Sequence, residues 1–193
     1  IVTSGPGATN LITGLAAAYM DSIPLIAITG QVNSEQLGRD VFQEADITGA
    51  CESFTKHSYL VKNTEDLPRV FKEAFHIATT GRPGPVLIDV PLDVQQKEIE
   101  SFDYPEEAAI IGYKPRTKGH ELQIKKALEV LSKAERPLIC CGGGVVLAGA
   151  REEMIHFATK SGIPMVSTMM GIGVVPMDSD IYLGMIGSQG KPY

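Results

Sequence analysis

The sequence predicts an α/β fold in which two successive domains each build a parallel sheet. Short apolar runs without alternation, at residues 25–29, 86–90 and 137–141, are typical of parallel strands covered on both faces. Helical patterns lie between these runs, and such an alternation of strand and helix implies a parallel sheet. A charged, proline-bearing stretch without periodicity, residues 96–118, separates the two series and is predicted to be an interdomain linker.

The first domain is predicted to cover residues 1–95 as a series of strands and helices. Residues 1–3 are expected to end a buried strand, and residues 7–20 to form a helix with one apolar face. Further strands are expected at 25–29, 59–61 and 86–90.

A long amphipathic helix is predicted between the last two of these strands. Thr64 can cap its first turn, and Glu65 and Asp66 suit a position where the helix dipole favours negative charge. Apolar residues then recur at the i, i+3, i+4, i+7 spacing of a buried helix face. They are Leu67, Val70, Phe71, Ala74, Phe75 and Ala78.

The second domain is predicted to cover residues 119–193 with the same alternation. Its first helix carries an apolar stripe that we expect to be buried, formed by Ile124, Leu128 and Leu131. There follow a strand at 137–141, a glycine exit turn at 142–144, a helix at 151–161 and a strand at 164–168.

Composition argues against two classes of partner. The net charge is −6 and no block of like charges occurs, so a nucleic-acid surface, which needs clustered Lys and Arg, is not expected. No apolar run reaches the roughly 20 residues of a membrane span. Cys51 and the adjacent pair Cys140 and Cys141 form neither a disulfide framework nor a zinc spacing, so we expect a reducing, cytoplasmic compartment.

Two motifs could form a ligand site at the edge of the first sheet. Glycines in the segment 3–10 (Thr-Ser-Gly-Pro-Gly-Ala-Thr-Asn) permit a tight turn into a helix whose free N–H groups point outward. The loop beyond the strand 25–29 places Phe42, Gln43 and Glu44 side by side, where ligands of open α/β sheets bind. An ordinary turn, and a loop with Phe42 in the core, remain the simpler interpretations of these residues alone.

Other motifs are weaker on their own. The pair Lys56 and His57 has no neighbouring carboxylate to orient a catalytic histidine. The glycine run 142–144 and the glycine-containing segments 168–171 and 184–190 allow close approach to a ligand, although any turn after a strand favours glycine.

Together, the segments 3–10, 38–49 and 55–61 resemble the large catalytic subunit of the acetohydroxyacid synthase (acetolactate synthase) family, which depends on thiamine diphosphate. The resemblance extends over essentially the whole chain. It implies part of a pyrimidine-binding domain at 1–95, followed by the first half of a Rossmann-like central domain at 119–193. The chain is thus expected to be an internal fragment.

The resemblance also implies roles at the thiamine site. Pro6 and Asn10 match positions that contact thiamine diphosphate in relatives. Gln43 matches a catalytic glutamine that faces the thiazolium carbon where pyruvate adds, and Phe42 would form an apolar wall there. Lys56 is assigned to the substrate surroundings.

A flavin site is implied in the same way. Arg82 matches an arginine that reaches FAD, and the central-domain turns supply the other contacts. These are Gly142, Gly143, Thr168, Met169, Met170, Gln189 and Gly190; the two methionines could equally be core residues. Leu92 stands where many relatives have lysine, and Ser188 and Gln189 stand where many have methionine and histidine.

The family's activating glutamate and its Mg²⁺ site are expected outside this chain, so no metal ligand is assigned here and the fragment alone is expected to be inactive. The whole enzyme would decarboxylate pyruvate and transfer the hydroxyethyl unit to a second 2-oxo acid, in branched-chain amino acid synthesis. A homodimer or higher oligomer, and a small regulatory subunit, are implied as partners. The alternatives are another thiamine-diphosphate enzyme, such as pyruvate oxidase, glyoxylate carboligase or a 2-oxo acid decarboxylase, or a non-catalytic nucleotide-binding or assembly module.

Overall fold

The structure, a computed structural model, describes residues 1–190 and divides the chain into two compact units, Ile1–Thr117 and Lys118–Tyr193. In the first unit the strands are β1 (Leu25–Gln31), β2 (His57–Leu60) and β3 (Pro85–Pro91). They run parallel in the order β1-β3-β2, which confirms the predicted α/β class with parallel pairing. The helices are α1 (Pro6–Thr9), α2 (Ile12–Met20), α3 (Ile47–Ala50), α4 (Leu67–Thr79) and α5 (Leu92–Gln96).

The central strand β3 is buried along its whole length because helices cover both faces of the sheet. Its alternate residues Val86 and Ile88 pack in a cluster with α4, whereas Leu87 packs in another with α2 and α3. Successive side chains of a strand point to opposite faces, so this division places one apolar layer on each side.

The predicted helix over 7–20 is interrupted. The amide of Leu11 donates to the carbonyl of Ala8 at 3.0 Å, three residues back. This tight turn ends α1 before α2 begins.

The expected N-cap role of Thr64 is wrong. Its hydroxyl donates to the carbonyl of Val94 at 2.8 Å, so it ties α5 to the start of α4 instead. A 3-10 turn over Thr64–Asp66 precedes the helix, which begins at Leu67.

Phe75 was expected in the core but is 54% exposed. The buried face of α4 is centred on Val70, Ala74 and Ile77, and it also contains Glu73. Glu73 can be buried because its carboxylate accepts hydrogen bonds from Tyr59 at 2.9 Å and from Arg69 at 3.1 Å. The helical spacing of apolar residues assigned Phe75 to the buried face of α4, but the buried residue at this point is its neighbour Ala74.

Part of the predicted linker packs on the first unit, which extends to Thr117. Ile110 and Tyr113 contact its core, and the Tyr113 hydroxyl lies 2.9 Å from the Thr80 hydroxyl.

The second unit contains the helices α6 (Glu121–Ser132), α7 (Gly143–Leu147) and α8 (Arg151–Ser161). Its strands β4 (Ile139–Cys141), β5 (Met165–Ser167) and β6 (Tyr182–Met185) are parallel in that order. Helix α7 begins at Gly143, so the predicted exit turn is shorter than expected. The core of this unit contains Cys141, Ala158, Met165, Val174 and Val175.

The predicted burial of the α6 stripe is wrong for the described chain. Ile124 is 51% exposed and Leu128 is 49% exposed, and Leu131 is only half-buried. The spacing determines which side chains share a face, but it cannot supply an element that covers them. None of the described helices is both long enough and apolar enough to cross a bilayer.

Candidate functional site

A cavity of about 650 Å³ lies where β1 and β3 end at their carboxyl edge. Ligands of open α/β sheets bind at this edge, and pockets of this size hold small molecules. The walls come from residues 1–4, the end of β1, the Phe42–Gln43 turn and the start of α5. Leu92 is part of this lining and makes the wall apolar there.

The two predicted motifs meet at the cavity. A Cβ on Gly5 would lie 2.9 Å from the carbonyl oxygen of Gln43 and 3.0 Å from its Cα. Gly5 also has a φ of 56°, in the left-handed region that favours glycine. The glycine therefore allows the turn before α1 to touch the backbone of the candidate catalytic residue.

Phe42 and Gln43 are the two central residues of a tight turn. The amide of Glu44 donates to the carbonyl of Val41 at 3.0 Å and closes it. Gln43 has a φ of 62°, the positive value that some turns require at their third position. For a residue with a Cβ this conformation costs about 1–2 kcal/mol. Strain of this kind persists where the surrounding structure over-determines it, often at a functional site.

The core-anchor interpretation of Phe42 is wrong. Its side chain is 89% exposed and lies at the cavity, and Gln43 is also exposed there.

The Glu44 carboxylate holds the same loop from the other side. It accepts hydrogen bonds from the amide of Gly38 at 2.5 Å and from the amide of Val41 at 3.1 Å. These backbone donors, that of Gly38 above all, lower the pKa of Glu44.

A buried polar cluster supports the loop from within the sheet. Asp89, 1% exposed, accepts from the Thr29 hydroxyl at 2.6 Å and from the Gln31 amide at 3.0 Å. The Gln31 amide also donates to the carbonyl of Ala45 at 2.8 Å, so it links the sheet to the loop that carries Gln43. Burial raises the pKa of Asp89 to about 6, although both hydrogen bonds oppose the shift.

Sequence reasoning missed Gln31 and Asp89 as site-supporting residues. The available signal was a carboxylate inside the apolar run 86–90, because a buried charge needs partners.

Pro6 and Asn10 lie on the surface around α1. Neither is among the described residues that line the cavity. Their assignment to thiamine diphosphate stays a prediction.

Lys56 lies at the end of a helix instead of the cavity. Its ammonium group donates to the carbonyls of Ile77 and Thr80, the latter at 2.6 Å, and to the Tyr113 hydroxyl at 3.2 Å. Cations are stabilising at helix C-termini, where carbonyls lack partners. The geometry therefore supports a structural role for Lys56 at the end of α4.

Arg82 has a similar arrangement at the end of α2. Its guanidinium donates to the Ser22 hydroxyl at 2.8 Å and to the carbonyl of Met20 at 3.0 Å. The side chain is exposed, and its assignment to a flavin is a prediction that these contacts do not test.

In the second unit, the predicted flavin residues follow the ends of parallel strands. The amide of Thr168 donates to the carbonyl of Cys141 at 2.9 Å, which joins the turn after β5 to that after β4. A Cβ on Gly143 would lie 3.1 Å from the Cβ of Met170. Met169 and Met170 are 64% and 46% exposed, so their interpretation as core residues is wrong.

The last predicted flavin residues follow β6. Gly190 folds back so that a Cβ there would lie 2.6 Å from the carbonyl of Met185, and Gln189 is exposed. The turns after the three parallel strands thus lie at the same carboxyl edge of the second sheet, the edge at which open α/β sheets bind ligands. Within residues 1–190 no cluster of His, Cys, Asp and Glu could hold a metal ion.

Models of known protein families match part of each unit. Residues 1–50 match the family model described as "Thiamine pyrophosphate enzyme, N-terminal TPP binding domain", and residues 124–193 match "Thiamine pyrophosphate enzyme, central domain". The chain therefore belongs to the thiamine pyrophosphate enzymes.

Within that family, the resemblance to acetolactate synthase large subunits is confirmed. The chain is 51% identical over 192 residues to a probable acetolactate synthase large subunit of Methanocaldococcus jannaschii, covering 98% of this chain and 32% of the relative. It is 50% identical to the large subunit of Buchnera aphidicola and 48% identical to that of Corynebacterium glutamicum, each over 98% of this chain and over 34% and 30% of the relatives. The chain thus spans about a third of the length of the curated relatives it matches.

Proposed function

We propose that this chain is part of an acetolactate synthase large subunit, which decarboxylates pyruvate and transfers the hydroxyethyl unit to a second 2-oxo acid. The observation that carries the proposal is the Phe42–Gln43 turn at the mouth of the 650 Å³ cavity, held against Gly5. The high identity to relatives of that name supports it.

In this proposal the chain's own residues bind and orient the reactants. Gln43 presents a neutral amide, which can donate or accept a hydrogen bond at the reacting centre without taking up a proton. Phe42 and Leu92 provide apolar walls that exclude water, which strengthens polar contacts inside the cavity. Thiamine diphosphate, when bound, supplies the carbanion chemistry.

Exposure of the site supports the proposed homodimer or higher oligomer. Phe42 is 89% exposed and Pro6 and Asn10 are surface residues, so a second wall is needed to enclose the reaction. We place the whole protein in the cytoplasm, in branched-chain amino acid synthesis, with a small regulatory subunit as a further partner. The Mg²⁺ site is proposed to lie outside this chain.

FAD is proposed to bind at the carboxyl edge of the second unit's sheet. Gly142, Gly143 and Gly190 would approach it through backbone, and Thr168, Met169, Met170 and Gln189 through side chains. The assignment of Arg82 to a flavin is a separate proposal, since a guanidinium fork suits a phosphate.

The test is acetolactate formation from pyruvate by the full-length enzyme with thiamine diphosphate, Mg²⁺ and FAD. Gln43→Ala should lower the rate, by up to the hundred- to thousand-fold typical of losing one preorganised polar contact, with unchanged thermal stability. Gln96→Ala, which removes an exposed amide outside the cavity lining, is the matched control and should keep the wild-type rate.

Other products would redirect the assignment. Acetaldehyde as the main product would indicate a 2-oxo acid decarboxylase, and acetyl phosphate with hydrogen peroxide would indicate pyruvate oxidase. Wild-type rates in Gln43→Ala would return Gln43 to a surface role. Sustained turnover by the isolated 193-residue chain would show that the reaction does not need the activating glutamate and the Mg²⁺ site that are expected outside it.

A further inference from the structure

One side chain, that of Glu44, hydrogen-bonds to two backbone amides of the loop over residues 38–44. Both carboxylate oxygens of Glu44 are engaged, one by the amide of Gly38 and the other by the amide of Val41. The backbone of Glu44 also bonds to Val41, because the Glu44 amide donates to the Val41 carbonyl. Glu44 therefore closes the turn through its main chain and the wider loop through its side chain.

Two of the residues enclosed by these contacts, Asp40 and Gln43, have positive φ values, of 53° and 62°. Relaxation of the φ of Gln43 would open the turn. On the other side the backbone of Gln43 rests against Gly5, where an added Cβ would lie 2.9 Å from its carbonyl oxygen. Gln43 is thus fixed from two directions, by glycine contact and by the Glu44 carboxylate.

We propose that Glu44 is a positioning residue of the site: by clamping the amides of Gly38 and Val41 it holds Gln43 in its left-handed conformation at the cavity. This inference rests on the proposed function. The carboxylate is suited to the role because two N–H donors face it, and charge-assisted hydrogen bonds are stronger than neutral ones.

The informative substitution is Glu44→Gln in the full-length enzyme. Glutamine keeps the size of the side chain, but its amide nitrogen is a donor. It would face one of the two backbone N–H groups, which is also a donor, so no hydrogen bond can form there. One clamp contact is lost while the fold of the sheet is untouched. We expect kcat to fall on the order of tenfold, less than the hundredfold that a 1 Å misplacement of reacting groups can cost. Melting temperature should stay close to that of the wild type.

Glu35→Gln is the matched control. Glu35 is an exposed carboxylate in the same unit, and its neutralisation changes the net charge by the same amount. It should leave kcat unchanged, so a loss in both variants would mean that charge alone matters and would overturn the proposal.

A double-mutant cycle separates positioning from a direct role. If Glu44 acts through Gln43, then Glu44→Gln should have little further effect on kcat in a Gln43→Ala enzyme. Additive losses would mean that Glu44 acts independently of Gln43, and the proposal would be wrong. Wild-type kcat in Glu44→Gln alone would overturn it equally.

Amide hydrogen exchange of the peptide covering residues 38–44 provides a readout that needs no turnover. In the full-length enzyme, Glu44→Gln should accelerate exchange at Gly38 and Val41, and Glu35→Gln should not. If the wild type forms no acetolactate, the proposed function fails, but faster exchange still establishes the clamp. Unchanged exchange rejects the clamp whatever the enzyme makes.

Discussion

The two units place their candidate sites at the same edge of a parallel sheet but hold them by different means. In the first unit, polar side chains brace the loop: Glu44 binds backbone amides, and Gln31 joins the loop to the buried Asp89. In the second unit, the turns meet through backbone contacts and glycines. Replacing a polar side chain should therefore damage the first site, whereas replacing a glycine with alanine should damage the second.

The first site also depends on one glycine, Gly5. Its substitution should have the largest effect on the free energy of unfolding. Gly5→Ala combines a φ of 56° with a Cβ placed 2.9 Å from the Gln43 carbonyl oxygen. Overpacking and left-handed strain together should cost about 2–5 kcal/mol of unfolding free energy. Urea denaturation measures the loss. Gly14→Ala in α2 is the control: its Cβ meets no described atom within 4 Å, and it should stabilise the helix by about 1 kcal/mol. Equal stability of the two variants would contradict the Gly5 contact.

Gly171→Ala breaks the second site in the corresponding way. Its Cβ would lie 2.3 Å from the carbonyl oxygen of Cys141, at the junction of the turns after β4 and β5. Overpacking should cost about 2–3 kcal/mol and reduce the flavin retained by the full-length enzyme. Flavin absorbance per subunit after desalting is the measurement. Gly144→Ala, whose Cβ meets open space among the described atoms, should retain flavin. An active enzyme that shows no flavin band and no response to added FAD would remove FAD from the proposed function.

The buried carboxylate of Asp89 predicts a pH dependence confined to the first unit. Its folded pKa of about 6 lies above the ordinary value of 3.8, so folding favours the neutral form. Ionisation of the buried Asp89 carboxylate therefore lowers the free energy of unfolding. This loss is absent below pH 4 and grows until about pH 6. The stability of Asp89→Asn relative to wild type should rise by about 2 kcal/mol between pH 4 and pH 7. Denaturant titrations at both pH values test this, and a pH-independent difference would show that Asp89 is ionised without cost.

Lys56 should give the smallest effect and should separate stability from catalysis. Lys56→Met removes the cation at the end of α4 and should lower stability by about 1–2 kcal/mol. Because Lys56 lies outside the cavity lining, acetolactate formation by the full-length enzyme should be retained. Lys62→Met, at an exposed lysine, controls for the change of charge and should be neutral in both measurements. A loss of rate without loss of stability would restore Lys56 to the substrate surroundings.

The strands were predictable because a covered parallel strand needs a continuous apolar run, as at 86–90. The candidate motifs were also visible, since glycines and the Phe42–Gln43 pair stand directly after strands. The partners of individual side chains were not predictable. Nothing local indicates that the hydroxyl of Thr64 bonds to Val94, or that Lys56 reaches a helix end 24 residues away.

The sequence by itself determined the α/β class, the parallel pairing and the family, because hydrophobic patterns and short motifs are local properties of the chain. Only the tertiary structure decided how the site is held. It brought Gly5 against Gln43, which lies 38 residues later, and Gln31 beside Asp89, which lies 58 residues later. It also left the apolar stripe of α6 without a fully buried residue in the described chain. Contacts between distant segments depend on which elements pack together, and that information is spread over the whole fold instead of residing in any one motif.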